Sequence, residues 1–204
     1  MRRVAVVVLL SIAVAMAADK NKPSFAPGSA ASHSGHQTSD KITIAAVPYI
    51  TSEQAATVFG KAKPYNEGIL PILVIIDNGT GKALRLDLKA QLVMSDSQHI
   101  DPMPPDSVTI FHAIKRNPAE PRTSPLPPIP RAAVKKGPLN TPEIEGRAFS
   151  LHLVPAGESA NGFFYFESQF EPGAKLYLTG IKDAASGQDY LYFEIPLEKP
   201  AGYK

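Results

Sequence analysis

The strongest pattern of apolar and polar positions lies between residues 65 and 93. Residues 69–76 (ILPILVII) are apolar without a break, and a turn-forming run, Asp77-Asn78-Gly79-Thr80-Gly81-Lys82, follows them. From there the chain alternates, with Leu84, Leu86, Leu88, Ala90 and Leu92 on one face and Arg85, Asp87, Lys89 and Gln91 on the other. The unbroken run predicts a strand buried on both sides, and the alternating run a strand with one wet face. Asn-Gly and Thr-Gly supply the positive-φ positions of a tight reversal, so the two runs are expected to pair as a hairpin on which the core forms.

Weaker copies of the period-two pattern flank this stretch. Residues 41–47 form a first strand closed by Pro48, and Thr51 with Gln54 has capping-box spacing for a short helix that Gly60 stops. Asp106 is placed to cap a second short helix over 107–115, with Val108, Phe111 and Ile114 on one side. Residues 117–142 carry eight prolines, which favours an extended, polyproline-type loop over a strand or helix. Alternation then resumes at 147–154, with Phe149, Leu151 and Leu153 expected inside. Strands follow at 162–166 (GFFYF), 174–181 and 190–197, the last with Leu191, Phe193, Ile195 and Leu197 inward. Short alternating strands separated by turn chemistry predict an all-β, antiparallel sandwich with one or two short connecting helices.

Organisation along the chain is simple. Arg2 and Arg3, the apolar residues 4–14 and Ala15-Met16-Ala17 read as a signal peptide over 1–17. That run is shorter than the ~20 residues a membrane span requires, so no membrane anchor is expected after cleavage. Residues 18–40 are rich in Ser, Ala, Gly, Pro and His without apolar periodicity, and a flexible lead-in is expected. Residues 41–199 are then one domain containing the Pro-rich loop 117–142, and 200–204 a tail.

Charge and composition narrow the function classes. Without Arg2 and Arg3, 19 basic residues balance 19 acidic ones, which gives no argument for nucleic acid or an anionic surface. The absence of cysteine excludes disulfides, thiolate catalysis and Cys-based zinc sites. A periplasmic or extracellular domain of ~160 residues without bridges must be held by its core, and that length buries roughly two-thirds of its surface.

The order VIIDNGTGKALRLD, LVPAGESANGFFYFE, AKLYLTG resembles the telokin-like, immunoglobulin-like domains of unknown function in secreted bacterial proteins. Asn78 with Thr80, Pro155, Gly157, Glu158, Gly162 and Phe166 fit that type, and GFFYF, KLYLTG and YFEIPL are similar to exported proteins of soil bacteria. The resemblance implies an immunoglobulin-like sandwich and an exported location, and carries no catalytic residues.

Candidate chemistry is sparse. If Leu176, Leu178, Leu191 and Phe193 face the core, then Tyr177, Tyr190 and Tyr192 face out, with His152 on a neighbouring strand. Tyr165 belongs to this set if its face of GFFYF is the outer one. An aromatic sheet face of this kind offers large contact area at small entropy cost and suits a protein or glycan partner. Cross-strand packing is the competing explanation. Met94, His99, Met103 and His112 fall in one window and form a thioether–imidazole set suited to copper(I), which makes a periplasmic metal carrier the alternative. His33 and His36 are two ligands without a preformed geometry. Asn78-Gly79-Thr80 also matches the glycosylation sequon. No nucleophile elbow, phosphate loop or HExxH helix occurs. The carboxylate pairs Glu143/Glu145 and Glu158/Glu167 have nothing to set their separation. A non-catalytic binding module without a cofactor is therefore expected.

Overall fold

The computed structural model describes residues 25–111 and 137–200. The strands are β1 (His36–Ser39), β2 (Ile42–Pro48), β3 (Ile69–Asn78), β4 (Leu84–Val93), β5 (His99–Ile100), β6 (Leu153–Val154), β7 (Ser159–Glu167), β8 (Lys175–Asp183), β9 (Asp189–Tyr190) and β10 (Phe193–Pro196). Among the described residues three short α-helices accompany them: α1 (Ser52–Phe59), α2 (Pro105–Thr109) and α3 (Pro142–Arg147). All ladders between these strands are antiparallel. They form two sheets, β1-β2-β3-β7 and β10-β8-β4-β5, with β6 joined to β4 and β9 to β8. This is an all-β antiparallel sandwich.

The unbroken run 69–76 and the alternating run 84–92 do reverse direction, yet they do not pair with each other. β3 lies between β2 and β7 in the first sheet, and β4 lies beside β8 in the second. The turn is an arch between sheets. An eight-residue stretch with no polar face must be covered on both sides, and a central position in a sheet that is itself covered on both faces provides this. Leu70, Ile72, Val74 and Ile76 meet Leu84, Leu86, Leu176, Leu178 and Phe193 in the inter-sheet core. Ile69, Leu73 and Ile75 point the other way, into a second cluster with Val58 and Phe59 of α1, Val108 of α2 and Ile144 of α3.

The arch is held by Asn78, which is only 2% exposed. Its Nδ2 lies 2.7 Å from Lys82 O, 2.9 Å from Pro155 O and 3.1 Å from Val154 O. Its Oδ1 accepts from Thr80 N and Thr80 Oγ1, and its backbone exchanges bonds with Glu158 O and Gly157 N. The Asn-x-Thr turn and the Pro-x-Gly-Glu turn are thus one bracket, although some 76 residues separate them in sequence. A side chain so enclosed is a structural tie, and the sequon match needs no further account. Beside it Lys82 Nζ lies 2.7 Å from Asp183. That hydrogen bond, with amide bonds from Ser186 and Ala185, holds the Asp183 carboxyl well below its ordinary value, and the same contact raises Lys82.

Thr51 and Gln54 form the expected capping box, each side chain bonding the other's backbone N–H at 3.1–3.2 Å. Other expectations fail for physical reasons. The lead-in 18–40 is structured over its described part: β1 pairs with β2, and Phe25 packs edge-on against Tyr49, whose hydroxyl burial pushes its pKa up to about 12. The second helix starts at Pro105, which needs no donor at a helix start, and Asp106 lies inside it, accepting from Ser107 N. Residues 112–136, with His112, Ile114 and most of the Pro-rich loop, lie outside the described part, as does the signal segment. At the end of that loop Pro142 opens α3, where an extended chain was expected. Finally, 147–154 is a crossover: Ala148 bridges Phe163 of β7, and the chain reaches β4 at His152, where its backbone O accepts from Leu86 N, and pairs with it at Leu153–Val154. A crossover has no period-two rule, so Leu151 and Leu153 are about half exposed (48% and 53%), and Val154 takes the buried place.

Candidate functional site

The outward face of the second sheet carries the candidate site. The ladders place Tyr177 between Gln91 of β4 and Glu194 of β10, with Lys175 next to Val93 and Thr179 next to Lys89. These side chains have the opposite parity to Leu176 and Leu178, which are buried between the sheets. Tyr192 folds onto Tyr177 with ring centroids 5.5 Å apart and planes 27° from parallel. Tyr192 is itself 51% exposed. Polar groups frame the pair: Gln91 Nε2 donates to Asp101 Oδ1 at 2.9 Å, His99 Nδ1 lies 3.3 Å from Gln91 Oε1, and Lys175 Nζ lies 3.4 Å from Glu194 Oε2.

Of the five residues expected on this face, Tyr177 and Tyr192 meet there and three do not. Tyr165 is 1% exposed, in the cluster between the first sheet and the helices, where its hydroxyl donates to Ile144 O at 2.7 Å. Burial pushes its pKa up. Helices that cover the outer side of β7 leave no wet face for Tyr165 to occupy. Tyr190 pairs with Ile181 and packs against the inter-sheet core, whereas Leu191, expected inside, is 82% exposed. The cause is Gly180. At φ +88° it takes a left-handed conformation, β4 shifts register opposite it between Leu86 and Lys89, and the inward positions of β8 change from Leu178 to Ile181. The strand paired to β8 changes parity with it. A Cβ on Gly180 would lie 2.0 Å from Asp87 O, so only glycine fits. An isolated glycine within KLYLTGIKD was the sequence signal that could have revealed the shift.

His152 lies apart from the tyrosines, on the crossover beside β4. Its backbone O accepts from Leu86 N at 2.9 Å, and its Nδ1 lies 3.4 Å from Leu86 O. Between His152 and Tyr177, two cavities follow the β4 edge. One of about 200 Å³ includes Phe149, Leu151 and His152, and one of about 390 Å³ includes Pro102, Asp101 and Tyr177; Leu88 and Phe164 line both. Phe149 and Phe164 are stacked at 5.7 Å. Gln91, Asp101 and Glu194 were not singled out as site residues from the sequence, because neighbours brought together across separate segments leave no local signal.

The Met/His set is divided. Met94 and His99 line one cleft of about 280 Å³, together with Lys175 and Tyr177. Met94 packs on the inter-sheet core and Met103 on the helix-side cluster, across the first sheet from it. Among the described residues no three His, Cys, Asp or Glu side chains are grouped to hold a metal ion.

These features define a β-sandwich with an aromatic outer face and an edge groove. No family model matches the chain, and no curated protein matches it in sequence. A structural similarity is found to a Bacillus subtilis protein described as a candidate lipoprotein, YcdA, at 14% identity and a TM-score of 0.37. The match covers 79% of this chain and 38% of that one, so the chain spans well under half the length of its structural neighbour.

Proposed function

We propose that this protein is a non-catalytic binding module of the cell envelope or extracellular space, and that the outer face of its second sheet holds a glycan. The observation that carries the reading is the Tyr177–Tyr192 stack, half open to solvent, within reach of the Gln91–Asp101 pair and Glu194. Flat aromatic surface covers the apolar face of a sugar ring, while amide and carboxylate groups satisfy the hydroxyls around it. Tyr192 remains half exposed within that stack, which leaves ring surface open to a ligand. The exported location follows from the expected signal peptide, and the Asn78 bracket supports the resemblance to telokin-like domains by uniting Asn78, Thr80, Pro155, Gly157 and Glu158 among the residues that carry it.

The test is glycan-array binding of the full chain against its Tyr192→Ala variant. The reading expects binding to one glycan class that Tyr192→Ala abolishes, with the melting temperature unchanged. Undiminished binding in the variant, or a protein captured from native envelope extract through the same face in place of any glycan, refutes it.

A further inference from the structure

We infer that the groove along the β4 edge extends the tyrosine face, and that the ligand is an unbranched, uncharged oligosaccharide lying from Tyr192 to His152. The inference rests on the glycan reading of the outer face and adds length, charge and direction to it.

Three observations support it. The first is continuity. Tyr177 stacks on Tyr192 and also lines the larger edge cavity, which shares Leu88 and Phe164 with the smaller one, and His152 lines the smaller. From Gln91 to Leu86 the β4 edge runs five residues, roughly 17 Å at the ordinary strand rise. A path of that length suits several sugar units in a row rather than one.

The second is chemistry. The floor is apolar and partly flat, made by the stacked Phe149 and Phe164 with Leu88 and Pro102. The rims carry donors and acceptors: His152 at one end, Gln91 and Asp101 at the other. Their charges cancel, since Asp87 lies 3.3 Å from Arg85, and Lys89 offsets Asp101. An anionic polymer would find no cationic track here, and an uncharged chain of hydroxyls needs none.

The third excludes the competing occupant. Among the described residues β4 is paired on this edge by β6 at Leu84–Arg85, continued by the Leu86 N to His152 O bond, and by β5 at Leu92–Val93, which leaves a gap between them. An extended peptide could add to the gap, but the register shift between Leu86 and Lys89 falls within it. A bulge and an exposed lysine are features that keep a strand edge from pairing. The same bulge, imposed by Gly180, is of the kind that turns side chains beside a binding site.

The full chain is titrated calorimetrically with neutral cello-, xylo-, manno- and chito-oligosaccharides of two to six units, and with an acidic uronate series. We expect affinity in one neutral series to climb with length to about four units and then level. His152→Ala and Leu151→Ser, both at exposed positions, should each weaken the longest ligand about three- to tenfold, the scale of one lost contact, while leaving the disaccharide unchanged. A disaccharide that binds as tightly as the hexamer, or long-ligand affinity indifferent to both substitutions, overturns the groove and leaves the tyrosine face standing. Preference for the uronates overturns the uncharged assignment. Absence of binding by every oligosaccharide overturns both readings. Should either variant fail to fold, the length series on the unsubstituted protein decides the matter alone.

Discussion

Replacing Asn78 by Asp changes one atom type and should cost more stability than most core truncations of similar size. Nδ2 supplies two protons to a pocket of three backbone carbonyls, Lys82 O, Pro155 O and Val154 O, all within 3.1 Å. A carboxylate there donates nothing and places negative charge against carbonyl oxygens. Leaving a buried acceptor unsatisfied costs about 1–3 kcal/mol, and at least two are affected, so a loss of roughly 3–5 kcal/mol is expected at pH 7. The bonds from Thr80 to Oδ1 survive the change, which confines the loss to the donor side. The penalty has a sign in pH. A carboxyl surrounded by acceptors has its folded pKa raised, so protonation relieves part of the loss below the unfolded value near 4, and the penalty grows as the pH rises through that value. Urea unfolding followed by circular dichroism at pH 3.5 and pH 7 measures both quantities, with an unchanged m-value showing that only stability moved. A pH 7 cost below about 0.5 kcal/mol, or a penalty that deepens on acidification, would refute the account of the bracket.

Three further outcomes are expected. Gly180→Ala places a Cβ 2.0 Å from Asp87 O at φ +88°, and should destabilise the fold by more than about 2 kcal/mol in the same unfolding assay. Tyr165→Phe removes the hydroxyl that donates to Ile144 O; about 1–2 kcal/mol should be lost, with amide exchange in α3 rising more than in the second sheet. Because Asp183 is held below its ordinary pKa by Lys82, its contribution is present above pH ~4 and is lost as the pH falls toward the depressed folded value. Asp183→Asn should therefore flatten the acid side of a melting temperature profile, and an unchanged acid limb would contradict the pairing.

The chain by itself specified a good deal. The short apolar runs identified β2, β4, β7 and β8, the continuous run 69–76 identified β3 and announced its burial on both faces, and Thr51 with Gln54 set the start of α1. Side-chain burial along one strand is a local property, written in adjacent residues. Pairing is not. That β3 and β4 face each other across two sheets, that helices seal Tyr165 away from solvent, and that a single left-handed Gly180 exchanges the places of Tyr190 and Leu191 depend on segments distant in sequence. The site shares that origin. Tyr177 was legible as an outward strand residue, but its company of Tyr192, Gln91, Asp101 and Glu194 exists only because three strands align in register. Periodicity records which side of a strand is dry, and only the assembled sheets decide what lies next to it.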